Sequence, residues 1–240
     1  MPSRATDAVQ KFDSSRAAEY GEQSRIALAG YDACHELAAC MLAARLGSGG
    51  AASILVAGAG GTGQEVLTAA RLEPGWTFTA VDPSPEMLAL TSAQVAQAGL
   101  SGRVRSVPGY VADLDPLERF DAATLIGVLH HLPGEADKAA LLAGIAARLP
   151  AGAPLILACN YRPYASQPLL LKAWGERWRM QGADAATVAA KLGRIQQGAE
   201  PPASEQVVAD LLGAAGFEAP LRFFSSLFWG AWIACRRAPD

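Results

Sequence analysis

Apolar and polar positions alternate along this chain with two different periods. From Tyr31 to Leu46 the apolar residues Leu37, Ala38, Met41, Leu42 and Leu46 recur at helical spacing, and "GSGG" ends that helix at Gly47. Next comes "SILVAG", a short apolar run of the kind a buried strand shows. Thr62 to Glu65 match the T-x-x-E capping box, which predicts a helix from there to about Ala70. "TFTAV" reads as a second strand, and "DPSPEML" opens a helix with Ser84 as N-cap and Pro85 at its first position. "RVRSV" is a third strand. "DAATLIGVL" is a fourth, apolar enough to be buried on both faces. Leu141, Leu142, Ile145 and Leu149 stripe the next helix, Pro150 stops it, and "APLILAC" is a fifth strand. Such a β-α-β-α rhythm predicts a parallel, doubly wound sheet.

The rhythm breaks after the fifth strand. Tyr161 to Gly198 read as two helices split near Gly182, with Trp174 and Trp178 four apart on one face. A last helix spans Ser204 to Ala215 and ends at Gly216, and "FEAPLRFFSSLFWGAWIACRR" reads as an antiparallel β-hairpin. Neither an internal repeat nor a long linker divides the chain. The expectation is one domain over residues 1–240, with a helical arm at 1–50 and a helical insertion at 161–200.

Composition narrows the picture. A chain of 240 residues, 51% hydrophobic and 18% charged, can build one substantial core and is not of the disordered class. The net charge of −3 gives no support to a nucleic-acid partner, although a local basic patch stays open. The polar start has no apolar leader core, and no apolar run approaches the roughly 20 residues needed to span a bilayer, so a cytoplasmic protein is expected, with no membrane partner. Cys34, Cys40, Cys159 and Cys235 form no C-x-x-C pair, and the three histidines are His35, His130 and His131. Reduced thiols and no metal site are expected.

Candidate chemistry starts at "ILVAGAGGTGQE". Gly58, Gly60 and Gly63 have the G-x-G-x-x-G spacing that follows a nucleotide-binding strand. Asp82 closes the second strand, where a carboxylate can accept hydrogen bonds from two vicinal ribose hydroxyls and would repel a 2′-phosphate. Both features suit an adenosine-containing ligand, NAD or S-adenosylmethionine. A turn with no ligand is the bland alternative for the glycines, and a strand-end cap is the bland alternative for Asp82.

Five motifs in order separate the two ligands. "ILVAGAGGTGQE", "TAVDPSPEML", "VRSVPGYVADLD", "FDAATLIGVLHHL" and "RLPAGAPLILA" together resemble the class I S-adenosylmethionine-dependent methyltransferases. That resemblance implies an α/β, Rossmann-like doubly wound sheet of seven strands with the last strand antiparallel. It also implies S-adenosylmethionine as cofactor, S-adenosylhomocysteine as product, and a small or medium acceptor molecule. Carried over position by position, it puts Gly58, Ala59 and Gly60 at the methionine end, with Asp82 and Pro83 at the ribose. Met87, Tyr110 and Val111 fall around the adenine and Ile126 beneath the sulfonium. The family usually has G-x-G-x-G, one residue shorter than the turn here. "LAGYD", the helical insertion and "FFSSLFWGAWIACR" are similar to the carboxy-S-adenosylmethionine synthase and tRNA-uridine-modification branch. That likeness adds Tyr31 as a cofactor contact and a homodimer, which the aromatic C-terminal third and the Trp174/Trp178 face also suggest.

No catalytic residue is assigned. Methyl transfer rests on proximity and alignment, and a base is needed only if the nucleophile must lose a proton. His130 and His131 are placed for that role, with packing as the commoner use of such a pair. Asn160, Tyr161 and Arg162 leave the fifth strand on the acceptor side. In the carboxymethyl-donor branch an arginine of the insertion binds the added carboxylate; its position falls on Leu192, and Arg194 lies about 200° farther round the helix. The expectation is therefore a methyltransferase. The alternatives are a carboxy-S-adenosylmethionine synthase-like enzyme and a non-catalytic S-adenosylmethionine-binding domain.

Overall fold

The computed structural model describes residues 14–238, with side chains from residue 21 onward. The first part of the expected arm, residues 1–13, lies outside the described residues. Its remainder forms helix α1 (Ser14–Ala27), which meets α2 (Tyr31–Leu46) at an 84° bend through Gly30. Among the described residues no single helix is long and apolar enough to cross a bilayer.

Strands β1 (Ala52–Ala57), β2 (Trp76–Asp82), β3 (Val104–Pro108), β4 (Ala122–Ile126) and β5 (Pro154–Asn160) run parallel, joined by α3 (Gln64–Leu72), α4 (Pro85–Gln97) and α5 (Gly134–Ala146). The insertion contributes α6 (Pro168–Met180) and α7 (Ala185–Gly198), followed by α8 (Glu205–Ala214), β6 (Leu221–Ser226) and β7 (Trp229–Cys235). The sheet has seven strands in the order β3-β2-β1-β4-β5-β7-β6, and the last strand pairs antiparallel with both β5 and β6. This is the expected Rossmann-like doubly wound sheet, with its helical insertion after the fifth strand.

Period-two alternation builds two layers of core. In β1, Leu55 and Ala57 join Leu142, Ile145 and Leu212 on one face, while Ile54 and Val56 join Leu42, Val66 and Ala69 on the other. Every residue of β5 is buried, as a central strand covered on both faces requires.

Local expectations fail in three places. The stripe of the helix from Tyr31 is rotated: its buried residues are Tyr31, Cys34, His35, Ala38, Ala39, Leu42 and Ala43, and Leu37 is 42% exposed. Small alanines, Ala39 and Ala43 besides the expected Ala38, let α2 pack closely on α3. The capping box at Thr62–Glu65 does not form. α3 starts at Gln64 with Gly63 as N-cap at φ 64°, and the Glu65 side chain does not reach back to cap the turn. The fourth strand stops at Ile126, because Gly127 turns out of the sheet at φ 82° and Leu129–His131 form a short 3-10 turn.

Much of the aromatic C-terminal third packs within the chain, while Phe223 and Phe224 are only half-buried. Trp174, Trp178, Phe228, Trp229 and Trp232 are all buried here. The indole of Trp174 donates to the Ala27 carbonyl at 2.8 Å, and Arg177 donates to the Ile26 carbonyl at 2.8 Å. The insertion thus satisfies the open carbonyls at the end of α1.

Candidate functional site

The strand order reverses between β1 and β4, and at their carboxyl ends a cavity of about 390 Å³ opens. Gly58, Ala59 and Gly60 form one wall. Tyr31 of α2, Glu65 of α3, Ile126 and Gly127 after β4, and His130 and His131 of the 3-10 turn add to it. Asn160 and Tyr164 follow β5, and Trp174, Trp178, Lys191 and Arg194 come from the insertion.

Backbone geometry explains the glycines. Gly58 has φ 71°, and a Cβ there would come within 2.2 Å of Val128 Cγ2. A Cβ on Gly60 would meet Asp82 Oδ2 and Met87 Cβ, each at 2.6 Å. The N–H groups of this turn are already bonded within the chain: Gly58 and Ala59 donate to the Val81 carbonyl at 2.8 and 3.0 Å, Gly60 to Asp82 Oδ2 at 2.8 Å, and Gly61 to the Met87 carbonyl at 3.0 Å. The glycines therefore allow close approach without offering these donors. In the first turn of α3 the Gln64 N–H donates to the Thr62 hydroxyl at 3.3 Å, and the N–H groups of Glu65 and Val66, which lack helical partners by geometry, are the donors left for an anionic group.

Asp82 sits directly behind that turn. One carboxylate oxygen accepts from Gly60 N–H and the other from Ser84 N–H at 2.8 Å. Burial pushes its pKa up, while these two bonds pull it back. It is thus both the strand-end cap of the bland reading and an oriented carboxylate whose remaining lone pairs can accept.

Of the positions expected to meet a cofactor, Tyr31, Gly58, Ala59, Gly60 and Ile126 line the cavity. Asp82, Pro83, Met87, Tyr110 and Val111 do not; they gather beyond it, around the ends of β2 and β3. There Met87 and Val111 are buried and Tyr110 is 40% exposed, its N–H bonded to Asp113 at 2.8 Å. The two sets meet at the Gly60–Asp82 hydrogen bond.

Glu65 is the residue that sequence reasoning missed. Its Oε2 is sealed from solvent and has no hydrogen-bond partner. Burial pushes its pKa up to about 7, and the Thr124 hydroxyl nearby opposes that shift without reaching hydrogen-bond geometry. Tyr31 bonds the Thr62 hydroxyl at 2.5 Å, and burial raises its pKa. Burial lowers the pKa of His35, whose Nδ1 bonds the Tyr31 carbonyl at 2.8 Å. The pattern alone made Glu65 a capping residue, and only its turn toward the sheet shows otherwise.

Histidine and asparagine fill the far end. Nδ1 of His130 accepts from the Asn160 backbone N–H at 3.4 Å, which leaves the ring proton on Nε2. A ring so bonded is held in place at the cavity's edge. His131 packs against it with ring centroids 4.3 Å apart. The Asn160 side chain is bonded to the Tyr164 hydroxyl at 2.9 Å, and its Oδ1 is buried without a partner. Whichever way the amide is turned, one of its ends faces no protein group. Of the acceptor-side candidates, Asn160 lines the cavity, while Tyr161 and Arg162 do not and pair with each other. Leu192 packs with the Trp174 cluster, and Arg194 lines the cavity.

Comparisons agree with this geometry. Residues 56–155 match the family model described as "Methyltransferase domain". No functionally curated protein matches the chain. Among solved structures, an O-methyltransferase family protein from Burkholderia thailandensis superposes with TM-score 0.67 at 15% identity, over 96% of this chain and 63% of that one. An O-methyltransferase family 2 protein from Planctomyces limnophilus, in complex with apigenin, gives 0.60 at 16%, over 85% and 61%. A 1,6-didemethyltoxoflavin-N1-methyltransferase from Burkholderia thailandensis, with its substrate and S-adenosylhomocysteine bound, gives 0.58 at 23%, over 96% and 91%. The chain thus spans less than two thirds of the length of the first two. The likeness to the family model is confined to residues 56–155, and the sheet and helix arrangement around it is the fold shared with these structures.

Proposed function

We propose that this protein is a class I S-adenosylmethionine-dependent methyltransferase acting on a small acceptor. The observation that carries the reading is the cavity at the β1/β4 switch point, where a glycine cradle adjoins the orphaned carboxylate of Glu65. An unpaired buried carboxylate oxygen is costly unless a cation comes to it. S-adenosylmethionine is a cation with a ribose diol and a methionine carboxylate. Asp82 would accept from the ribose, the first turn of α3 would meet the methionine carboxylate, and Glu65 would face the positive charge.

When bound, S-adenosylmethionine supplies a methyl carbon already activated by positive sulfur: a bond forms from the acceptor to that carbon, the carbon–sulfur bond breaks, and its electron pair stays on sulfur. The protein's part is alignment. The Asn160 amide offers a hydrogen bond that orients the acceptor's nucleophilic group, and His130 Nε2–H can add a second. The nucleophile's proton, where it has one, has His131 or solvent as its destination. Aromatic walls from Trp174, Trp178, Tyr164 and Trp229 exclude water. The described residues are read as one domain around one sheet.

An acceptor screen tests the enzyme against its non-catalytic rival. Purified protein with S-adenosylmethionine is incubated with small-molecule extracts, and products are sought by mass spectrometry as a gain of one methyl group. Binding of S-adenosylmethionine with no methylated product in any extract would favour a non-catalytic binding domain.

A further inference from the structure

Helix α7 presents two stripes. Val188, Leu192, Ile195 and Ala199 pack on the aromatic cluster of Trp174, Trp178 and Phe228. Lys191, Arg194, Ile195 and Gly198 recur at helical spacing along the cavity. Lys191 is steadied by Gln23, whose Oε1 accepts from its Nζ at 2.8 Å and also from the Trp178 indole at 3.3 Å. Arg194 forms no ion pair or hydrogen bond with any described residue. Two cations are thus held beside indole walls.

The cavity's charges are sorted by wall. Its one carboxylate among the described residues, Glu65, lies at the start of α3 against Tyr31 and Thr124, on the side assigned to the cofactor. Both of its Lys/Arg side chains lie on α7. At the end of β5, in the same cavity, Asn160 Oδ1 is buried and unbonded, on a residue only 2% exposed. A neutral acceptor would use the indoles and the amide and leave Arg194 idle. An acceptor with an acidic group would use all three.

We infer that the acceptor is a small aromatic acid. Its ring lies between the indole walls, its oxyanion meets Arg194 and Lys191, and its methylated hydroxyl or amine donates to the Asn160 amide. This inference rests on the methyltransferase reading above and adds the substrate class.

The test uses the full chain saturated with S-adenosylhomocysteine, and binding is measured by calorimetry. The probes are hydroxybenzoates and hydroxycinnamates, each paired with its methyl ester so that only the negative charge differs. We expect acids to bind about tenfold more tightly than their esters, the worth of roughly one charge-assisted hydrogen bond at a partly wet rim. Arg194→Ala should erase that advantage and Arg194→Lys should restore part of it, with unchanged S-adenosylhomocysteine affinity as proof that both variants are folded. If S-adenosylhomocysteine binds but no acid outbinds its ester, or the advantage survives Arg194→Ala, the inference is wrong. If S-adenosylhomocysteine does not bind at all, the methyltransferase reading itself fails, which the first titration shows before any acid is added.

Discussion

Around the glycine turn the backbone is bonded to itself. Four successive N–H groups from Gly58 to Gly61 have partners within 3.0 Å, and Gly60 has no room for a methyl group. Across the cavity, α7 has no buried residue and contributes long cationic side chains. The glycine-turn wall, proposed to hold the cofactor, is thus specified by steric necessity, and the opposite wall, proposed to hold the acceptor, by a helix packed through half-buried side chains. That difference explains how a common fold can keep one ligand and change the other.

Breaking the rigid side should cost most. Gly58→Ala or Gly60→Ala should lower stability by about 3 kcal/mol, from overpacking and, at Gly58, a left-handed backbone. Denaturant unfolding would show it, and a loss below about 0.5 kcal/mol would mean the turn is as tolerant as α7.

Glu65 gives a pH signature on the same side. Its folded pKa is raised from 4.5 to about 7 by burial, so the stability linked to it is intact below about 4.5 and declines as pH rises toward about 7. Glu65→Gln should remove that decline and be the more stable protein at pH 8, by at most about 3 kcal/mol. Unfolding curves at several pH values decide it; parallel wild-type and variant profiles would refute a buried, unpaired carboxylate.

Asp82→Ala should cost about 1–2 kcal/mol of stability, because Gly60 and Ser84 lose their acceptor, and should weaken S-adenosylhomocysteine binding as well. Thermal unfolding and calorimetry on the same sample separate the two losses. Intact binding would leave Asp82 as a structural cap alone.

The smallest effect belongs to the opposite wall. Arg194→Ala should change stability by no more than about 0.5 kcal/mol, since nothing in the described chain bonds its guanidinium. A larger loss in unfolding experiments would mean that α7 is structurally committed and that the contrast between the walls is false.

What could be read from the sequence follows the same division. The succession of strands and helices, the glycine turn, Ser84 as N-cap and the helix pair split near Gly182 were legible, because each depends on local spacing or on a backbone only glycine or proline tolerates. Glu65 was misread because T-x-x-E is a local pattern, and its override is tertiary: Tyr31 takes the Thr62 hydroxyl, and the carboxylate turns toward the sheet. The partners of the insertion were not legible, since sequence cannot show that Ala27 and Ile26, far away in the chain, supply carbonyls for Trp174 and Arg177. Arg194 was legible only as the basic residue nearest the position of the carboxylate-binding arginine in the carboxymethyl-donor branch, and not as one that lines the cavity without a partner among the described residues.

The central claim is that the switch-point cavity was built for an S-adenosyl ligand. Calorimetric titration of the purified protein with S-adenosylhomocysteine and, separately, with NAD tests it directly. The account predicts saturable binding of S-adenosylhomocysteine, weakened by Asp82→Ala, and no comparable response to NAD. Tight binding of NAD with no response to S-adenosylhomocysteine would contradict it.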